Sequence, residues 1–363
     1  MAQIRCLNCR QPYPESGVPY RCPSCGGVYD YAVWPAIPAQ WETDQPGIWR
    51  YRQAFGLPEG APVISLGEGN TPLVWTTTQG RRVALKCEYL NPTGSFKDRG
   101  EAILLSFLRS RSVEAAIEDS SGNAGAAFAA YAARAGLQAR VYVPDYAAGP
   151  KRRQIEAYGA QVVRILGARS VVAEKTRQVA AQGAVYASHT YLPHLLPGYA
   201  TLAYELLEQL GGAPGTVIIP AGQGGLLLGV GRGFWAMQQA GMIEKLPVLI
   251  GVQAQACAPL WALSVYGPAG LQWVREGETL AEGVRVFHPA RGDGVLRMVA
   301  ASGGAFVAVE ESQILSARDQ LAHQGFYVEP TAALAWAAIP LLPADTPQPI
   351  VAVLTGSGLK FAP

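Results

Sequence analysis

Long apolar runs are missing from this sequence, and so is a surplus of either charge. No uninterrupted apolar stretch is long enough to cross a bilayer, since the alanine-rich run after Gly125 carries Arg134. Lysine and arginine number 29 against 27 aspartates and glutamates, a net charge of +2. That balance gives no electrostatic case for a nucleic-acid or membrane partner. No secretory leader is legible, because Met1-Ala2-Gln3-Ile4-Arg5 runs straight into Cys6. A cytoplasmic location is therefore expected. Internal repeats and low-complexity tracts are also lacking. What remains is a globular composition, 49% apolar and 15% charged. Its 363 residues allow one large or two medium domains plus an appendage.

The six cysteines are few but unevenly placed. Cys6-x-x-Cys9 and Cys22-x-x-Cys25 form two knuckles, with Pro12, Pro14, Gly17 and Pro19 between them. A segment as short as residues 1–33 cannot build a core, so something must staple it. Four thiolates at this spacing suit tetrahedral zinc in a zinc ribbon, and a reducing compartment disfavours the alternative pair of disulfides. Four cysteine ligands leave no open position, so the expected zinc is structural. Cys87 and Cys257 lie in apolar contexts and read as buried hydrophobes. Residues 34–60 hold Trp34, Trp41, Trp49, Tyr51 and Phe55 among prolines and glycines, which reads as an irregular arm packed on a larger body.

After Leu73 short apolar runs alternate with helical patterns. Strands are expected at 83–87, 115–117, 139–143, 161–166, 184–187, 216–219, 248–252, 306–309 and 350–354. Helices are expected at 97–109, 124–135, 151–158, 170–182, 199–210, 226–240, 312–323 and 331–342. This alternation signals parallel strands with crossover helices, an α/β layered fold.

Residues 91–100, Asn-Pro-Thr-Gly-Ser-Phe-Lys-Asp-Arg-Gly, organise the chemistry. Asn91-Pro92-Thr93-Gly94 is turn chemistry, and helical periodicity starts at Lys97. A lysine at a helix N-terminus sits where cations are disfavoured, which lowers its proton affinity, as burial would. A neutral amine can attack a carbonyl carbon, and Schiff-base formation is the obvious use. A second feature is Gly222-Gln223-Gly224-Gly225-Leu226, which follows the apolar run Val217-Ile218-Ile219 and opens a helix. Such a turn lets backbone N–H groups approach an anion. Leu227 stands where a third glycine of a dinucleotide fingerprint would be, and no Walker lysine follows.

Four motifs in order carry a resemblance. They are Leu66-Gly67-Glu68-Gly69-Asn70-Thr71-Pro72-Leu73, the Lys97 segment, Ser120-Ser121-Gly122-Asn123-Ala124-Gly125, and Thr355-Gly356-Ser357-Gly358-Leu359-Lys360. Together they resemble the tryptophan synthase β-type (fold type II) pyridoxal-phosphate enzymes, nearest the threonine synthase branch. The resemblance implies two parallel-sheet α/β subdomains with the cofactor between them. The large one would span 34–97 and 201–363, and the small inserted one 98–200. It implies a homodimeric lyase of amino-acid metabolism, acting by elimination or replacement at the β or γ carbon of a small amino acid.

By the same resemblance Lys97 binds pyridoxal 5'-phosphate and, once freed, serves as general acid and base. Gly222, Gln223, Gly224, Gly225 and Leu226 cradle the phosphate. Asn123 meets the ring oxygen and Thr355 the ring nitrogen. Ser120, Ser121 and the backbone at Ala124 hold the substrate carboxylate. A hydroxyl at Thr355 cannot keep the ring nitrogen protonated as an aspartate could, which makes a milder electron sink.

The sequence departs from threonine synthases in two places. The arginine that binds substrate phosphate in that branch is absent, and Leu195-Leu196-Pro197 precedes Gly198 instead. The glycine loop, lacking the branch's asparagines, is closer to threonine and serine dehydratases. A phosphate dianion without a cation partner binds poorly, so O-phosphohomoserine is expected to be a poor substrate. His189, His194, Arg152 or Arg153 could replace the missing charge. Two other readings are a threonine or serine dehydratase, and a non-catalytic ligand-sensing protein in which the ribbon binds a partner.

Overall fold

The structure is a computed structural model that describes residues 3–361 apart from Ala39, Thr43 and Ala148. The chain divides into two compact units. One comprises Met1–Gly69, Asn91–Gly198 and Lys360–Pro363; the other comprises Asn70–Leu90 and Tyr199–Leu359. The segment read as an insert, 98–200, thus shares its unit with the ribbon and the aromatic arm almost in full.

The first unit is built on three parallel strands, Ala115–Glu118, Gln138–Pro144 and Gln161–Ile165, paired in that order. The expected strand at 184–187 does not form; only Tyr186 makes a single bridge, to Ile117. Helices Lys97–Ser110, Asn123–Arg134, Pro150–Ala157 and Arg169–Ala181 connect and cover the strands. Asn123–Arg134 is alanine-rich because it is buried along nearly its whole length. Small side chains let it pack closely, and Gly136 closes it at φ +64°. The ribbon adds an antiparallel pair, Gln3–Cys6 with Tyr29–Val33. Beside it a cavity of about 290 Å³ is lined by Tyr13, Tyr31, Phe107, Arg111 and His194 among others, and by none of the expected cofactor residues.

The aromatic arm is not loose. Its short helix Gly47–Ala54 buries Trp49 and Tyr51 completely. Glu68 anchors it: its carboxylate accepts hydrogen bonds from Trp49 Nε1 at 2.8 Å, Tyr131 Oη at 2.7 Å and the Leu66 amide at 2.9 Å. The acidic residue of the first motif is therefore a structural hub, a role the sequence did not disclose.

The second unit holds a six-stranded sheet in the order Ala305–Val309, Val248–Ala254, Thr216–Pro220, Ile350–Val353, Arg81–Lys86, Leu73–Thr78. The first five are parallel and the last is antiparallel. Central strands such as Ile350–Val353 are buried throughout, as expected when both faces are covered. Two helices escaped the sequence reading, Pro259–Tyr266 and Gly292–Ala301. Among the described residues no helix is long and apolar enough to cross a membrane.

Candidate active site

In the first unit a tight turn delivers Lys97. Gly94 adopts φ +86° and donates to the Asn91 carbonyl at 2.8 Å. Asp98 then locks the turn, accepting from the Thr93 amide at 2.6 Å and from the Thr93 hydroxyl. Lys360 Nζ donates to the Thr93 carbonyl at 2.8 Å. Lys97 is consequently the first residue of helix Lys97–Ser110, as expected. Gly198 seats that helix: a Cβ there would lie 2.0 Å from the Arg99 carbonyl oxygen.

Among the described residues the Lys97 amine has no hydrogen bond or ion pair; it lies 4.9 Å from the centre of the Phe96 ring. Desolvation lowers its pKa to about 8, against the pull of Glu101 and Glu118. Lys86 is the contrasting case. It is fully buried but held by Glu205 at 2.7 Å, Gln209 at 2.9 Å and the Thr71 carbonyl at 2.8 Å. An amine with three partners is a structural lysine, whereas the Lys97 amine carries none of these ties among the described residues.

The Ser120–Ala124 loop follows strand Ala115–Glu118 and opens helix Asn123–Arg134. Gly122 is the N-cap, and no side chain caps the helix. Ordinary capping by Ser121 or Asn123 is thereby set aside, and the first-turn amides stay available to an anion. Gly125 is required here: a Cβ would come 1.8 Å from the Ser120 carbonyl oxygen. The Ser120 hydroxyl accepts from the Gly122 amide at 3.2 Å.

In the second unit the glycine loop leaves strand Thr216–Pro220, and Thr355 lies just past strand Ile350–Val353. These strands are parallel neighbours with Ala352 opposite Ile218. Both features thus sit at the carboxyl edge of one sheet, where open α/β sheets bind ligands. Gly224 caps helix Gly225–Gln239 at φ +75°, again without a side-chain cap. A Cβ on Gly222 would meet the Gly283 carbonyl at 2.6 Å, and one on Gly224 would meet Val295 at 2.6 Å. Gln223 is turned to structure, its Oε1 accepting from the Ala290 amide at 3.0 Å. Leu226 is buried. The Thr355 hydroxyl is buried with no partner among the described residues. An uncapped glycine cradle beside an unsatisfied hydroxyl fits a group with a phosphate and a ring nitrogen.

Glu101, Glu118 and Asp119 were not singled out from sequence, and His189 was named only as a stand-in for the missing charge. Glu118, Asp119 and His189 bring one side-chain ligand atom each within 4.8 Å of one another; Lys97 feels the charges of Glu101, Glu118 and Arg169, the last of which opens helix Arg169–Ala181. A legible signal existed for two of them. Glu101 is four residues after Lys97, on the same helix face, and Glu118 ends an apolar strand.

In the ribbon, Cys6 Sγ lies 3.5 Å from Cys25 Sγ and Cys9 Sγ 3.6 Å from Cys22 Sγ. All four sulfurs lie within 4.8 Å of one another, with no disulfide. Thiolates 2.3 Å from zinc would be about 3.8 Å apart at a tetrahedron's corners, so the cluster is compatible with that metal. Cys87 and Cys257 are buried as expected.

A family model described as pyridoxal-phosphate dependent enzyme matches residues 64–356. The chain is similar to threonine synthase of Methanocaldococcus jannaschii, 30% identical over 98% of this chain and 92% of that protein. It is 36% identical to threonine synthase of Synechocystis sp., over 85% of this chain and 82% of that protein. The crystal structure of a T.th. threonine deaminase superposes with a TM-score of 0.68 at 28% identity, covering 81% of this chain and 94% of that one.

Proposed function

The chain belongs to the family of pyridoxal-phosphate dependent enzymes, and from that premise we propose that Lys97 holds the cofactor in a threonine synthase-like lyase. The supporting observation is the contrast between two lysines, Lys86 fully buried and engaged, and Lys97 partly exposed and without a hydrogen-bonding or ionic partner among the described residues. Gly222, Gln223, Gly224, Gly225 and Leu226 would hold the phosphate, Thr355 the ring nitrogen and Asn123 the ring oxygen. When bound, pyridoxal phosphate supplies an electron sink for negative charge at the substrate's α carbon. The open amides at the start of helix Asn123–Arg134, with Ser120 and Ser121, would orient the substrate carboxylate. The Lys97 amine would then take and return protons at the neighbouring carbons.

A dehydratase reading is the second choice. It is favoured by the Gly222-Gln223-Gly224-Gly225 loop and by the similarity to a threonine deaminase. One experiment tests the proposal and separates the two readings. Adding the cofactor to the purified chain should give a visible absorbance band at one equivalent per chain. The loaded enzyme should then act on serine, threonine or their O-acetylated analogues; 2-oxo acid release marks a dehydratase, and a new amino acid marks replacement. No band, or no product from any of these or from O-phosphohomoserine, removes the proposal.

The ribbon is proposed to carry one structural zinc on Cys6, Cys9, Cys22 and Cys25. Metal binding and folding of such a segment are coupled. Metal analysis should find one zinc per chain, and chelation should unfold the ribbon while most of the helical signal persists. No zinc in a reduced preparation would count against it.

A further inference from the structure

The ribbon's two knuckles hold the ends of one loop, residues 10–21. Cys9 and Cys22 flank it, with their sulfurs 3.6 Å apart. Tyr13 of this loop packs inside the ribbon, its ring 4.7 Å from that of Tyr29. It also reaches outward, meeting His194 edge-on at 5.0 Å and Phe107 at 6.2 Å. Phe107 lies in the last turn of helix Lys97–Ser110. Arg111, just past that helix, donates to the Pro14 carbonyl at 3.2 Å and to the Glu15 carbonyl. At the loop's other end Arg21 donates to the Tyr191 hydroxyl at 3.0 Å, and the Tyr20 ring lies 5.0 Å from that of Tyr186.

The loop therefore touches two segments. One is the far end of the helix that Lys97 opens. The other is 186–194, which bridges to Ile117 in the strand leading to the Ser120–Ala124 loop. We propose that loop 10–21 is a clasp: Tyr13 and Arg111 are positioning residues that hold the Lys97 helix against segment 186–194, and metal in the ribbon keeps the clasp shut. The inference rests on the zinc reading of the ribbon and on Lys97 as the reacting amine.

Edge-to-face rings and hydrogen bonds from a guanidinium fix direction as well as distance. A cation at Arg111 also suits the C-terminal end of a helix. A metal on all four thiolates closes loop 10–21 at both ends, which lowers the entropy lost in ordering it. Without the metal, each tie must form against the freedom of an open chain. The helix is buried from Asp98 to Leu108, and such a packed, rigid element carries a shift at one end to the other. The Tyr13 hydroxyl has no partner among the described residues, so the ring alone does the holding.

The test uses the full chain with its metal and without added cofactor. Hydrogen–deuterium exchange is followed in peptides from 97–110 and 186–194, with strand Gln138–Pro144 as the reference. Tyr13→Ala and Arg111→Ala should each speed exchange in both segments by about three- to tenfold, the worth of an aromatic pair or a charged hydrogen bond. Tyr13→Phe should match the wild type, and Arg111→Lys should fall between. Removing the metal with EDTA should loosen the segments at least as much as either alanine variant. As water reaches the amine, the pH midpoint for acylation of Lys97, read by mass spectrometry, should rise by about half a unit or more towards the ordinary lysine value.

Unchanged exchange at 97–110 in Arg111→Ala would overturn the proposal, and this variant stands even where Tyr13→Ala unfolds the ribbon, because Arg111 lies outside it. So would Tyr13→Phe behaving like Tyr13→Ala, or an equal rise in strand Gln138–Pro144, which would mean general loosening. An unmoved Lys97 midpoint would reduce the ties to a structural role and overturn it too, as would unchanged exchange after zinc has left. A chain found without zinc would remove the zinc reading alone, and the variants would still decide the clasp. Cofactor found on another lysine would leave the exchange results standing.

Discussion

Replacing Lys97 with alanine is expected to lower turnover by roughly two to four orders of magnitude, the range for loss of a positioned acid–base group. The fold should survive, because the amine makes no hydrogen bond or ion pair among the described residues. Borohydride reduction of the loaded wild type, followed by peptide mapping, should place the cofactor on Lys97 and leave Lys86 unmodified. The pH dependence has a definite sign. A lowered pKa means that the amine loses its proton earlier, so the neutral, reactive form dominates above about 8. The rate of cofactor uptake should therefore rise through that value and level off, whereas an ordinary lysine would keep gaining to roughly 10.4. A label on Lys86, or uptake that still climbs well above about pH 9, would contradict this assignment.

O-phosphohomoserine should be a poor substrate by roughly two to four orders of magnitude in kcat/KM, relative to the best unphosphorylated amino acid of a panel. The figure follows from ~3–5 kcal/mol for a buried anion deprived of its charged partner. In place of the arginine that the family resemblance leads one to expect, Leu195 and Leu196 are buried apolar side chains. The candidate substitutes are mostly occupied. His194 stacks on Phe107 with ring centres 3.7 Å apart and meets Tyr13 edge-on at 5.0 Å. His189 is neutral at ordinary pH. Arg152 is bonded to the Ala147 carbonyl at 3.1 Å and paired with Glu156 at 3.4 Å. Steady-state kinetics with serine, threonine, their O-acetylated analogues and O-phosphohomoserine decide the matter. If the phosphorylated compound leads the panel, Arg152→Ala and Arg153→Ala would show which side chain swings in to meet it.

The layered α/β fold was legible because buried parallel strands and crossover helices impose different periods on the apolar residues. The Lys97 helix was legible for a local reason, since a turn with Gly94 at positive φ must precede it. The run at 184–187 misled because four apolar or small residues satisfy a strand's pattern without extending a ladder; its pairing is one bridge, Tyr186 opposite Ile117, whose amide donates to the Val185 carbonyl and whose carbonyl accepts from the Ala187 amide. Helix Pro259–Tyr266 carries little sequence signal, being apolar almost all round; Gly292–Ala301 is amphipathic, with Val295 and Val299 buried four residues apart, and its period was there to be read. Glu101, Glu118 and His189 could not be grouped in advance, because nothing local links a helix, a strand end and a loop so far apart in sequence. The hub at Glu68 was hidden likewise, since its donors come from Trp49 and Tyr131.

The bond from Lys360 to the Thr93 carbonyl has a consequence for how the protein is made. The two residues are 267 positions apart. At elongation speeds of about 5–20 residues per second, roughly 15–50 s separate the synthesis of the turn from that of its last donor. The turn that presents Lys97 therefore waits, incomplete, while nearly the whole polypeptide leaves the ribosome. A chain stopped just short of Lys360 would contain the strands of all three sheets and every motif residue up to Leu359, yet release a lysine whose turn lacks one of its ties.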